Sequence, residues 1–234
     1  MNKENVKFYL QTVTATVLAI MAILVSFSQC SISKEQTKLL NVQTKIAKKQ
    51  ISPVFTISAK QLKDDIPGIY SEDKIFIENN GFIISDFHYN SLVLIDIELS
   101  KTPNVQKKKT YSLIGYYRAG YMTAKGSGLL ATIFGKNNNL QLSQLDEQYS
   151  GICQKNDESC FINLRRYLKV RYKNAFDEQI TEYYIVPLIY GGKKLSLDEG
   201  ERLFRRYDDN VDRDTCLEFN KLTSEIIYHT ISGT

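Results

Sequence analysis

From Phe8 to Ser33 the chain carries no charged residue, and no other feature of the sequence restricts its fold as strongly. The run FYLQTVTATVLAIMAILVSF, as a helix rising about 1.5 Å per residue, spans the roughly 30 Å hydrocarbon layer of a bilayer. Its Leu, Ile, Val and Phe side chains each gain roughly 0.3 to 0.6 kcal/mol at the helix centre, which outweighs Gln11 and the threonines. A buried core helix would be shorter and striped, with about 10 to 14 apolar residues. A cleaved signal has an apolar core of about 7 to 15 residues followed by small residues, whereas this run ends Ser26-Phe27-Ser28-Gln29-Cys30. Phe27 and Gln29 are likewise poor neighbours for a lipid-bearing Cys30. The expectation is one transmembrane helix, with residues 8–28 in the bilayer and residues 1–30 as tail plus span.

Charge bears on sidedness more than on ligand. The 30 Lys and Arg against 26 Asp and Glu leave +4, much of it in one stretch after the apolar run, so nucleic acid is not an expected partner. Lys3 and Lys7 precede the run, and Lys34, Lys38, Lys45, Lys48 and Lys49 follow it. The more basic flank tends to stay cytoplasmic, which predicts a soluble domain on the cytoplasmic side of a cell membrane. Cys153 and Cys160 bracket QKNDES; the spacing fits neither a CxxC redox motif nor a zinc knuckle, and leaves a disulfide and a free pair equally open.

In SKEQTKLLNVQTKIAKKQ, Ile32, Leu39 and Ile46 recur every seven residues with Val42 between them, and lysines take most other faces. This predicts an amphipathic basic juxtamembrane helix over 31–52, able to continue the transmembrane helix. It would serve as a spacer, as a surface for anionic headgroups or for a homo-oligomer. Ser52-Pro53 ends it, because the residue before proline is pushed out of the helical region.

From Val54 the period changes to two. VFTIS reads as a strand, KIFIENNGFIISD as strand, Asn80-Gly81 turn and strand, and SLVLIDIEL as an alternating strand. KKTYSLIGYYR and GLLATIF follow, then a loop over Gly135 to Asn139 ahead of LQLSQLD. LRRYLKVRYKNAFDEQITEYYIVPLI gives two long strands around a turn near Asn174 to Glu178. About seven strands at this spacing predict an antiparallel β-sandwich over 53–234. One or two helices close the chain. Ser196-Leu197-Asp198-Glu199 has capping-box spacing, Thr215-Cys216-Leu217-Glu218 repeats it, and EIIYHTI reads as either helix or final strand.

The junction IAKKQISPVFTIS, the turn IENNG and the late hairpin YLKVRYKNAFDEQITEYYIV resemble uncharacterised bacterial single-pass membrane proteins. Those proteins carry a Lys-rich juxtamembrane helix and an immunoglobulin-like sandwich. The resemblance spans most of the chain and implies a mainly β fold, an immunoglobulin-like antiparallel β-sandwich behind a membrane anchor. It brings no activity with it.

No chemical motif stands out. His88 and His229 are the only histidines, and neither sits at ligand spacing from a Cys, Asp or Glu. The acidic stretch Asp208 to Asp214 fails as an EF-hand, since its sixth and twelfth positions counted from Asp208 are Arg213 and Phe219. Lys125-Gly126-Ser127-Gly128 and Gly191-Gly192-Lys193-Lys194 lack the spacing that wraps backbone N–H groups around a phosphate. No catalytic residue, metal site or cofactor is therefore expected.

RRYLKVRYK is the one candidate surface. Alternation turns Leu168, Val170 and Tyr172 to the core and places Tyr167, Lys169, Arg171 and Lys173 on the other face, a basic stripe able to meet a partner. The sequence thus favours a membrane-tethered protein-interaction or scaffold domain without catalytic activity, with a protein partner. The competing readings are a membrane-anchored enzyme with a dispersed site at His88 and Asp86, and an extracytoplasmic ligand-binding sensor.

Overall fold

The computed structural model describes residues 3–63, 70–101, 105–209 and 215–233, which form two compact units, residues 1–51 and 52–234. The first is a single helix, α1 (Lys3–Gln50), unbroken at the expected junction near residue 30. It is long and apolar enough to cross a bilayer, and its apolar side chains are exposed. Three of its hydroxyls are satisfied within the helix: Thr12, Thr16 and Ser26 each donate to the carbonyl four residues back at 2.9 Å. That is how a helix carries such groups where water is absent. The last helical hydrogen bond runs from Ile51 N to Ala47 O, ahead of Ser52-Pro53.

The second unit is built from two sheets. The smaller has strand order β1-β2-β6-β5, with β1 (Phe55–Lys63), β2 (Tyr70–Asn79), β5 (Ala119–Met122) and β6 (Gly128–Phe134), all antiparallel. The larger has order β10-β4-β3-β7-β8-β9. It contains β3 (Ser85–Lys101), β4 (Val105–Ile114), β7 (Glu158–Lys173), β8 (Gln179–Ile185), the short β9 (Lys193–Lys194) and β10 (Cys216–Glu218). Its pairs are antiparallel except β10, which runs parallel to β4. The predicted late hairpin forms as β7 and β8, closed by Asn174 N to Glu178 O at 3.1 Å.

Alternation explains where the core sits. Ile57, Ile75, Ile77, Leu130 and Ile133 of the small sheet bury against Leu168, Val170, Tyr172 and Tyr184 of the large one. β3 and β7 continue past the small sheet, and helices cover the rest of the same face. These are α2 (Asn138–Lys155), through Leu145, Tyr149 and Cys153, and α4 (Ser224–Ser232), through Ile227 and Ile231. On the opposite face, Phe204 of α3 (Leu197–Phe204) packs with Leu92, Leu94, Tyr167 and Tyr183.

Where the two parts of the inner face meet, a buried polar node replaces apolar packing. Asp73 Oδ2 accepts from Arg166 Nε and Nη2 at 2.6 Å, from Tyr117 at 3.0 Å and from Tyr116 at 3.2 Å. Asn138, the first residue of α2, accepts from Asp73 N at 2.8 Å and donates to the Asp73 and Tyr116 carbonyls at 3.2 Å. Burial, followed by the Asp73 charge, holds the Tyr116 and Tyr117 hydroxyls well above the usual tyrosine range. Burial alone would depress Arg166, but the Asp73 carboxylate outweighs it and keeps the guanidinium charged.

Several sequence expectations are corrected. The loop expected over Gly135 to Asn139 ends early, because α2 begins at Asn138 and takes in LQLSQLD, its first turn fastened by Asn138 and Asn139 to β2 and β1. Asn80-Gly81 does not close a hairpin, because β2 pairs with β1 and β6 while β3 pairs with β4 and β7. The turn instead carries the chain from one sheet to the other. Asn79 fixes it, accepting from Val54 N and Gly81 N at 3.0 Å and donating to Phe82 O at 2.7 Å and Gly126 O at 2.8 Å. Gly81 is required because a Cβ there would lie 2.4 Å from Val54 N. The second capping box is not a helix start: Cys216–Glu218 is strand β10, and the last helix, over EIIYHTI, is capped by Thr223 Oγ1 accepting from Ile226 N at 3.3 Å. At the first, Ser196 does cap α3, its Oγ accepting from Glu199 N at 3.3 Å. The core of the acidic stretch, residues 210–214, lies outside the described residues.

Candidate functional site

The basic stripe on β7 is only partly open. Lys169 is half-buried, with its ammonium 5.7 Å from the Phe204 ring centre, so α3 covers that end. Tyr167 is buried in the same cluster. Lys173 is engaged by Asp86 at 2.9 Å and by Asp177 at 3.3 Å, leaving Arg171 as the exposed member of the three. The hydrogen bond from Lys173 lowers the Asp86 carboxyl and in return raises the lysine.

His88 is exposed on β3, opposite Arg171 in the register. Asp86, two residues away, is exposed as well and is taken up by Lys173. Neither lines any of the three clefts described below. A general base or nucleophile needs partners that converge on a water-poor volume, and these two residues stand on a solvated strand face. Among the described residues, no three His, Cys, Asp or Glu side chains converge as a metal site would.

The concave surface lies at the opposite edge of the large sheet. β10 is held against Ser112 to Ile114 of β4 on one side, and no described strand pairs with its other side. The chain then turns through a short 3-10 segment, Phe219–Lys221, into Thr223-capped α4. Phe219 anchors the turn, stacking edge-on against Tyr116 with ring centres 5.2 Å apart. Leu217, Leu222 and Ile226 are therefore presented around an open cleft of about 460 Å³, together with Ile114 and the free thiol of Cys216. Ile114 and Ile226 are 45% and 43% exposed, high for isoleucines beside a packed core. Lys221 and Glu218 pair at 2.8 Å on the rim.

Leu222 also lines a second cleft of about 480 Å³, floored by Leu145 and Phe219 and otherwise walled by polar side chains: Gln141, Gln144 and Gln148 of α2, Asn220 and Arg118. The glutamines occupy one face of α2 at spacings of three and four. Apolar anchors thus adjoin a row of amides that both donate and accept, a composition that suits the main chain of another protein. A third cleft, about 290 Å³, lies by Ser91, Ser112, Tyr117 and Tyr207.

This edge is barely legible in the sequence, because its residues come from β4, β10 and α4, distant in the chain and individually unremarkable. The one signal was Ile114 and Ile226 at positions that alternation or helical period leaves outside. Compared with known proteins, the chain matches no protein-family model and no curated sequence.

Proposed function

We propose that this chain is a single-pass membrane protein whose outer unit is an interaction domain that works by binding rather than by catalysis. The observation that carries the reading is the open apolar cleft of Ile114, Leu217, Leu222 and Ile226 beside the edge of β10 that no described strand pairs. Its occupant is an extended segment of a partner protein, laid along β10 by main-chain hydrogen bonds, with an apolar side chain against Leu222 and Ile226. The adjoining amides of α2 then take the partner's remaining polar groups.

The domain is immunoglobulin-like in this reading. Taking β1 to β8 as strands A, B, C, C′, D, E, F and G, the orders β1-β2-β6-β5 and β4-β3-β7-β8 read A-B-E-D and C′-C-F-G, the order of that fold. The chain has no Trp for the usual core position, and α2 stands between E and F.

Sidedness is assigned to the extracytoplasmic face. The flanking lysines favour the cytoplasm, but Cys153 at the end of α2 and Cys160 on β7 are joined, with Cα atoms 6.2 Å apart. Such bonds persist in oxidising compartments.

A photo-crosslinking residue placed at Ile226 in the full-length protein in its own membranes tests the binding reading, with Arg171 as control. A discrete protein adduct at Ile226 and none at Arg171 supports it. No adduct at Ile226, or equal yields at both positions, overturns it.

A further inference from the structure

A second repeat runs through α1 alongside the apolar one. Gln29, Gln36, Gln43 and Gln50 recur every seven residues, and Ile32, Leu39 and Ile46 each follow a glutamine by three. Four of the five glutamines in the first 50 residues occupy this single position. The phase extends back into the apolar run, with Ala15 and Ala22 at the glutamine position and Leu18 and Val25 at the other. Written as heptads with Ala15 at a, every a from there to Gln50 is Ala or Gln, and every d is Leu, Val or Ile. Leu40 and Val42 widen the stripe at e and g, and Lys34, Lys38, Lys45 and Lys48 stand outside at c and f. Because α1 is unbroken, this phase is kept along one continuous face. Ile32, Leu39, Val42 and Ile46 on it are all more than half exposed.

We propose that this face pairs with the same face of a second copy of this chain, as a parallel, in-register, left-handed coiled coil. The pairing runs from inside the apolar segment to Gln50. A strict seven-residue repeat on a helix of 3.6 residues per turn keeps facing its partner only by supercoiling to the left. In parallel register a meets a and d meets d, so each glutamine meets its own counterpart, whose amide both donates and accepts. An antiparallel pairing, or a parallel slip of three or four residues, sets Gln against Leu, Val or Ile and leaves a desolvated amide without a partner; a slip of a whole heptad shifts one copy about 10 Å along the bilayer. A second copy is the occupant because it alone brings the same spacing of amides and aliphatics at the same depth. Ala15 and Ala22 fit the part in lipid, where close backbone packing holds helices together.

The proposal rests on the membrane reading of α1 for this common depth and not on the β10 cleft. The test uses the full-length chain carrying Cys30→Ser and Cys216→Ser, with one cysteine added at a time and mild oxidation in membranes. Gln36→Cys, Leu39→Cys and Gln43→Cys are expected to give disulfide-linked dimer at about five times or more the yield of Lys38→Cys and Lys48→Cys, as side chains in a parallel seam require. Two differently tagged copies should co-purify, and Leu39→Glu should abolish this while the Ile226 adduct remains. Equal yields around the helix, a maximum on the lysine face or no dimer at any position overturns the pairing. Seam crosslinks in a chain recovered from the aqueous fraction would instead keep the pairing and remove the membrane reading.

Discussion

Asp73 and Arg166, 93 residues apart in sequence, meet inside the second unit with the carboxylate fully buried and the guanidinium side chain 5% exposed. The pair ties β2 of one sheet to β7 of the other, and Asn138 ties α2 to the same backbone. Removing one member strands the other charge away from water, which costs about 3 to 5 kcal/mol, whereas replacing both by apolar groups of similar size often costs little. Asp73→Asn is expected to lower the thermal unfolding temperature of the full chain in detergent sharply. A double variant Asp73→Leu, Arg166→Met, made in a Tyr116→Phe, Tyr117→Phe background so that no buried hydroxyl loses its acceptor, should recover much of that loss. Equal losses in the single and double variants would count against a charge effect.

That pair also marks the limit of what the sequence discloses. The alternation that correctly turns Leu168, Val170 and Tyr172 inward puts Arg166 on the same face, so its burial follows from parity alone. Charge argues for the opposite face, and only the distant Asp73 resolves the conflict. The β7 and β8 hairpin was legible because from Leu168 to Lys173 buried and more open side chains alternate strictly up to the turn. LQLSQLD was not, since leucines two and three apart fit either period. Its helical state is decided by contacts from Asn138 and Asn139 to strands more than 60 residues away. The β10 edge is a purely tertiary product.

On the outer face of the large sheet, Asp96 gives a pH dependence with a defined sign. Burial raises its carboxyl, but hydrogen bonds from Arg165 at 2.7 Å and Thr110 at 2.6 Å, with the Arg165 and Lys108 charges, outweigh this and hold it below the usual carboxylate range. A carboxylate with a depressed folded value contributes stability that is fully present above its unfolded value and is lost as pH falls through the folded one. Wild type should therefore be more stable than Asp96→Asn at about pH 7, with the gap closing below about pH 4. Denaturant titrations at stepped pH measure it; a gap independent of pH would deny the ion pair its role.

The Cys153 to Cys160 bond makes a prediction about both stability and sidedness. Closing so short a loop is worth about 2 kcal/mol in the chain-entropy account, here fastening the end of α2 to β7 beside Tyr149. Reductant should lower the unfolding temperature of wild type and leave Cys153→Ala, Cys160→Ala unmoved. In intact cells a membrane-impermeant maleimide should react with Cys216 before lysis, and with the other two only after reduction. Labelling of Cys216 that requires lysis would return the domain to the cytoplasmic side.

Two helical glycines should respond oppositely to the same change. In an exposed helix interior Gly→Ala stabilises by roughly 0.5 to 1 kcal/mol, because glycine leaves the unfolded chain more freedom to lose. Gly151 in the interior of α2 is half-buried but has the room such a gain requires, since a Cβ there has nothing within 4 Å. Gly200 in α3 does not: its Cβ would fall 2.1 Å from Tyr183 Cγ, and Tyr183 is packed against Phe204 and cannot retreat. Gly200→Ala must then lift α3 off the sheet or displace the ring, a distortion of about 1 to 3 kcal/mol that exceeds the propensity gain. Unfolding midpoints should therefore rise for Gly151→Ala and fall for Gly200→Ala. Because Lys169 lies over Phe204, the second variant should also loosen the cover on the β7 stripe, which faster hydrogen exchange at Tyr167 and Lys169 would register. A rise in stability for Gly200→Ala would mean that α3 does not seat on Tyr183.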